Sequence, residues 1–327
     1  MTRTFYATLA FVLSFCLSAA ANEITPADKD TVLNAVITHL ETDYADETVG
    51  LRSAEALKMQ AATGAFEEQS SGEEYANALS EALQALTGDG HLNIEYSDEE
   101  LSESDNAIET YSAAEMERWY GAHLNYGVER VERLEGHIGL IDLRVFAPID
   151  MGADTVTAAM NVVAHMDGLI IDLRNNGGGI GDMANLVASY LFDAEPRPLT
   201  GIYDRPSDTL TQQYTQSYVP GDRFGKDKPV YVLISPKTFS AAEALAYDLQ
   251  ALGRATIVGE ASGGGAHPFE YIRIHPHFIL WSVTAKSVNP ITGGNWQGVG
   301  VQPEVVVPAD DALDEALKRI RKDLSSG

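Results

Sequence analysis

Two short apolar runs constrain the fold more than anything else in the chain. Residues 169–173 read LIIDL, broken only by Asp172, and residues 230–234 read VYVLI. A strand that is apolar at consecutive positions has no face to offer to water, so both runs predict strands buried on two sides. Each is followed by a turn rich in glycine or serine and then by a helical pattern, near 183–191 and over 241–252. A further strand is expected at 255–258. Strands alternating with helices predict an α/β core with both faces of its sheet covered.

The flanking regions read differently. Residues 1–21 combine Arg3, an apolar run over 9–17 and the small residues Ala19, Ala20 and Ala21, the pattern of a cleaved secretory signal peptide. The run is too short to span a bilayer, and the bulky Phe15 ahead of Cys16 argues against lipid attachment. Thr25-Pro26-Ala27-Asp28 is a helix start, and Val32, Leu33, Val36, Ile37 and Leu40 keep a helical period. Helical stretches over 51–60 and 72–86 complete a small all-helical N-terminal domain over 22–90. Residues 91–127, polar and acidic between 97 and 118, are expected to be a connecting segment with one helix. Residues 128–308 then form the core domain. Residues 309–327 carry a C-terminal helix whose apolar stripe is Leu313, Leu317, Ile320 and Leu324. The full 327 residues suffice for one large domain and a smaller one.

Lys and Arg number 22 against 48 Asp and Glu, a formal charge of -26. Such a surface repels phosphate backbones and anionic headgroups, so neither nucleic acid nor a membrane surface is expected as a partner. No later segment is apolar enough to insert into a membrane once the signal is removed. The single cysteine excludes a disulfide framework and a zinc site built from thiolates. No two histidines have the helical spacing of a zinc site, and neither a metal nor a cofactor is expected.

Three turns can carry chemistry: 175–181, 235–240 and 262–265. The first contains Gly179-Ile180-Gly181-Asp182-Met183-Ala184, which fits G-x-G-x-x-A. Its place deep in the chain, the acid at Asp182 and the lack of a phosphate-binding lysine argue against a nucleotide. Bare backbone N–H groups there suit a developing oxyanion instead. Ser240-Ala241-Ala242-Glu243 is a capping box by spacing. A serine at a helix N-terminus is also a sensible nucleophile, and composition does not choose between the two. A nucleophilic serine needs a base. His91, after Gly88-Asp89-Gly90, and His267 are the candidates, while His275 and His277 beside Pro276 are weaker ones.

Five ordered segments resemble a known family: 125–132 (NYGVERVE), 172–179 (DLRNNGGG), 238–243 (TFSAAE), 253–260 (GRATIVGE) and the stretch from Asn289 to Glu304. The chain resembles the C-terminal-processing (tail-specific) serine peptidases, in the branch shared with tricorn core peptidase and interphotoreceptor retinoid-binding protein. The resemblance implies a crotonase/ClpP-like spiral of β-β-α units. No PDZ domain is expected, because too few residues separate His91 from Gly136. Ser240 falls on the nucleophile, with the N–H groups of Ala241, Gly177 and Gly178 as oxyanion donors. The lysine base of the processing branch falls on Gly265, so no Ser–Lys dyad is present. The tricorn-like branch uses a histidine ahead of the core, and His91 matches it. Gly90 stands where that branch has a serine and Gln297 where it has a glutamate. Gln297 can orient an imidazole without stabilising its charge, and Asp89 and Glu304 are alternative acids.

The expected function is an exported, periplasmic or extracellular serine endopeptidase acting on peptides or proteins. Ser240 forms the acyl-enzyme and His91 is the general base. The alternative is a weak or inactive relative that binds a hydrophobic small molecule or peptide. The oligomeric state is not legible in the sequence.

Overall fold

The computed structural model describes residues 23–101 and 113–326. The signal-peptide expectation for 1–21 lies outside the described residues. The chain begins with three helices, α1 (Pro26–Thr42), α2 (Glu47–Ala62) and α3 (Gly72–Thr87). α1 starts as its sequence predicts: Thr25 and Asp28 exchange side chain and backbone hydrogen bonds across the first turn. Ser71 and Glu74 do the same for α3. The buried faces of these helices bring together Val36, Leu40, Leu57, Tyr75, Leu79 and Leu83.

The chain continues through β1 (Asn93–Tyr96), α4 (Ala113–Tyr120), β2 (Val128–Leu134), β3 (Ile138–Leu143), α5 (Ile149–Val163), β4 (Gly168–Asp172) and α6 (Gly181–Tyr190). A hairpin of β5 (Pro198–Asp204) and β6 (Thr209–Tyr214) precedes β7 (Val230–Ile234), α7 (Ala241–Ala251) and β8 (Thr256–Gly259). Last come β9 (Glu270–His275), β10 (Phe278–Ser282), β11 (Ala285–Val288), β12 (Val305–Val306) and α8 (Ala312–Ser326).

The central sheet has the order β12-β8-β7-β4-β3-β2. Every neighbouring pair is parallel except β2 with β3. The two apolar runs are its inner strands, and their side chains divide as two-sided burial requires. Leu169, Ile171, Val230, Val232 and Ile234 join α5, α6 and α7 on one face. Ile170, Tyr231 and Leu233 join Ala312, Ala316 and Ile320 of α8 on the other. Asp172, the polar exception, sits beside Asp142 in register. Two buried carboxylates side by side would repel, but each is clamped by the arginine two residues on. Arg174 and Arg144 bind them through paired hydrogen bonds of 2.6–2.9 Å.

Two features differ from the sequence expectation. The segment expected to be a connection over 91–127 contains β1, which pairs antiparallel with β10 in the sheet β1-β10-β9. That sheet closes the helical core with Leu92, Ile94, Phe278 and Leu280. The β5–β6 hairpin, unmarked by an apolar run, joins β11 in a third sheet. Among the described residues no helix is long and apolar enough to cross a membrane.

The contact of α8 with the sheet rests on few side chains, of which Ile320 is fully buried. Ile320→Ala is expected to cost about 2–5 kcal/mol, read as a lower midpoint in urea unfolding. An unchanged midpoint would mean that α8 does not cover the sheet.

Candidate active site

The parallel sheet sets out the first half of the site at the ends of β4 and β7. Ser240 caps α7 directly after the turn that leaves β7, with φ 52° and ψ -121°. A side-chain-bearing residue in that region stores about 1–3 kcal/mol of strain. The surroundings hold it there. The Phe239 N–H donates to the Asn176 carbonyl (3.0 Å), and the Thr238 hydroxyl donates to the Leu173 carbonyl (2.8 Å). The Ser240 N–H donates to Glu243 (2.8 Å).

Glu243 does more than complete a cap. It is fully buried and also accepts from the Ser262 hydroxyl (2.5 Å) and the N–H groups of Gly264 (2.7 Å) and Gly265 (2.8 Å). Burial raises its pKa above the ordinary carboxylate value, and the four donors oppose that rise. One carboxylate thus ties the Ser240 turn to the 262–265 loop.

The glycine turn after β4 lies against the serine. A Cβ on Gly178, whose φ is 104°, would come within 2.7 Å of the Ser240 Cβ and 3.2 Å of the Ala241 nitrogen. The three expected oxyanion donors are not equivalent. The N–H groups of Ala241 and Gly177 have no acceptor among the described residues. The Gly178 N–H is occupied, donating to the Asn176 side chain (2.8 Å).

The second half comes from the end of the helical region. His91 immediately precedes Leu92 and β1, so the β1–β10 pairing fixes where it lies. Its ring lies tilted against Phe239 (4.7 Å between centroids) and stacks on Phe269 (5.3 Å). Phe239 is the neighbour of Ser240, and His91 and Ser240 line one cavity of about 1170 Å³. Gly265 makes room for this stack: a Cβ there would meet the Phe239 ring and lie 2.7 Å from the His91 Cε1. The space that a side chain at Gly265 would need is thus taken by the Phe239 and His91 rings.

His91 is only 4% exposed. Desolvation pushes its pKa down to about 4, with Asp89 acting in the opposite direction. Its Nδ1 is buried without a hydrogen bond and stands 3.7 Å from Asp89. Asp89 is completely buried. It accepts from the Tyr44 hydroxyl (3.0 Å) and the His91 backbone N–H (3.0 Å), and His267 Nδ1 lies 2.6 Å from its Oδ2. Burial raises the Asp89 pKa, but the His267 bond and charge and the His91 N–H outweigh it, and the net shift is downward.

The remaining expected residues are placed elsewhere. Gln297 makes no hydrogen bond to His91. Its Oε1 accepts from the Ala266 N–H (2.7 Å) and its Nε2 donates to the Gly88 carbonyl (3.3 Å). It braces the turn that carries Asp89 and His91. Glu304 accepts from the Ile257 N–H (2.8 Å) at the β8 side of the sheet. His275 pairs with Asp28 (3.2 Å), and His277 with the Ser97 carbonyl (2.9 Å). Nothing local in the sequence marks Tyr44 or Phe269. Among the described residues no three His, Cys, Asp or Glu side chains converge as metal ligands would.

Glu243→Gln must present an amide N–H₂ to one pair of its donors. It is expected to cost about 1–3 kcal/mol of stability and to speed amide exchange at Gly264 or at Gly265, whichever donates to the oxygen that the amide nitrogen replaces. Unchanged exchange at both glycines would contradict the tie.

Comparison with known proteins bears on the whole arrangement. Residues 24–131 match the N-terminal domain of Peptidase_S41 in eukaryotic IRBP, and residues 137–307 match Peptidase family S41. A carboxy-terminal-processing protease of Bartonella bacilliformis is 29% identical over 192 residues, which is 57% of this chain and 42% of that protein. The chain spans less than half the length of the curated relatives it matches. Among solved structures, a putative peptidase from Parabacteroides merdae superposes with TM-score 0.62 at 17% identity, covering 89% of this chain and 96% of that one. The photosystem II D1 C-terminal processing protease superposes with TM-score 0.52 at 16% identity, covering 88% and 94%. At such identities the likeness is one of fold. The profile match runs over more than half of the sequence and takes in both strand-end turns and the serine that ends the second, so the chain belongs to peptidase family S41.

Proposed function

We propose that this protein is an exported serine endopeptidase that cleaves peptide bonds through an acyl-enzyme on Ser240. The observation that carries the proposal is the contact of the His91 ring with Phe239, the neighbour of a serine held in a strained conformation, with His91 and Ser240 lining one large cavity. The Ser240 Oγ attacks the peptide carbonyl as His91 takes the hydroxyl proton. The oxyanion forms against the N–H groups of Ala241 and Gly177 at the start of α7. The tetrahedral adduct collapses, the C–N bond breaks, and His91 returns its proton to the departing amine. Water then repeats the sequence in reverse and frees Ser240.

Asp89 is the acid of this site in place of Gln297. As His91 becomes charged, its Nδ1–H closes the 3.7 Å gap to Asp89, and the buried carboxylate stabilises the imidazolium. Gln297 positions the turn. Export follows from the signal pattern in residues 1–21, and a periplasmic or extracellular location goes with it.

A second reading, binding of a hydrophobic small molecule or peptide without cleavage, is favoured by one observation. Phe269 and Trp281 stack almost parallel (5.0 Å, 8°) on the wall of the cavity.

Cleavage of unfolded casein separates the two. Wild type is expected to cut it, Ser240→Ala to have no activity, and His91→Ala to lower kcat about 10²- to 10⁴-fold. A folded wild type that cuts nothing would favour the binder.

The pH dependence has a definite sign. His91 is neutral and basic above its folded pKa of about 4, so the acid limb of kcat/KM is expected near pH 4. A limb near the ordinary histidine value of about 6.5 would contradict this. The same depressed pKa stabilises the fold fully above the unfolded value, and that contribution falls away as pH drops towards 4. The rates are therefore read on protein shown to be folded at each pH.

A further inference from the structure

Helix α7 carries more of the cavity than its first residue. Ala244 and Asp248 follow Ser240 by four and eight positions, which places them on one helix face, and all three line the cavity. Asp248 is 4% exposed. Its Oδ1 accepts from the Thr200 N–H (2.9 Å), the Thr200 hydroxyl (2.7 Å) and the Asn289 side-chain amide (2.9 Å). Its Oδ2 accepts from no described residue, yet it is not sealed from solvent. Asp248 makes no ion pair with a described cationic side chain. The carboxylate therefore has three neutral donors on one oxygen and an open side towards the cavity.

A buried carboxylate without a counter-ion is costly. Desolvation pushes the Asp248 pKa up to about 6 despite its three hydrogen bonds. Eight residues of helix place its Cα about 12 Å from that of Ser240 along the axis, and its side chain leans back towards the helix start. The side chain between them, Ala244, is the smallest that has a Cβ and leaves the path open. Only a long side chain on the residue bound at Ser240 spans this gap.

We propose that Asp248 forms the floor of a specificity pocket for a lysine or arginine side chain on the residue that supplies the scissile carbonyl. This rests on Ser240 being the nucleophile. The substrate cation completes the pairing that the fold leaves open at Oδ2, and Thr200 and Asn289 hold the carboxylate in place. The formal charge of -26 acts in the same direction by drawing cationic peptides to the surface.

The test uses two peptidyl aryl phosphonates that differ only at this residue, one with lysine and one with norleucine, which has the same carbon stem without the charge. Labelling of Ser240 is followed by mass. The lysine-to-norleucine ratio of labelling rates is expected to be about 100 or more in wild type and to fall towards about 1 in Asp248→Asn, as for other buried sites that lose a matched polar partner. Asparagine keeps an acceptor for Thr200, so a purely structural role for Asp248 would leave the ratio unmoved. A wild-type ratio of 1 or below overturns the pocket while leaving the nucleophile intact, and it decides the matter even if Asp248→Asn does not fold. No labelling by either probe overturns the nucleophile and this pocket with it.

Discussion

The buried carboxylate of Asp89 is the point on which the site depends. A carboxylate with no exposure must gather donors from whatever packs around it. Here they come from the connection between α1 and α2 (Tyr44), from its own turn (the His91 N–H) and from the 266–268 loop (His267). That set spans the helical region and the core, so separating the two breaks the Asp89–His267 contact. The same arrangement decides the state of His91. Its Nδ1 remains at 3.7 Å while His267 takes the shorter contact. With weak compensation and two aromatic faces around it, the imidazole stays neutral.

Glu243 plays the corresponding part on the other side. It gathers four donors at the turn that carries Ser240 and fixes the loop against which His91 lies. The strain at Ser240 persists because this network and the strand ends over-determine the turn. Both catalytic candidates are thus held by buried acids rather than by the cavity they face, and the cavity wall is free to vary in chemistry. Its aromatic side runs along Phe269 and Trp281, and Asp248 of α7 lines another part of it.

Much of this was legible in the sequence, for physical reasons. Residues 169–173 and 230–234 could only be two-sided strands, and they are. Ser240 was visible as a residue that either caps or attacks, and the capping pattern with Glu243 is a real interaction that also serves the site. What could not be read is the long-range pairing. β1 is four residues with little apolar signal, and its partner β10 lies far along the chain. Without that pairing, His91 looks like a residue on a solvated turn. The surroundings of the acid candidates are hidden for the same reason. Gln297 stands at a matching motif position, while Asp89 acquires its surroundings only through Tyr44 and His267. Asp248 reads as an ordinary helix residue until Thr200 and Asn289 are seen to occupy one of its oxygens and leave the other.

The most direct measurement is the intact mass of the protein after treatment with a fluorophosphonate. It should be made on wild type, Ser240→Ala, His91→Ala and Asp89→Asn, each shown to be folded. The expected result is a single adduct on wild type, none on Ser240→Ala, and much slower adduct formation when His91 or Asp89 is changed. An adduct that survives in Ser240→Ala, or a folded wild type that gains none, would contradict an activated serine at this position.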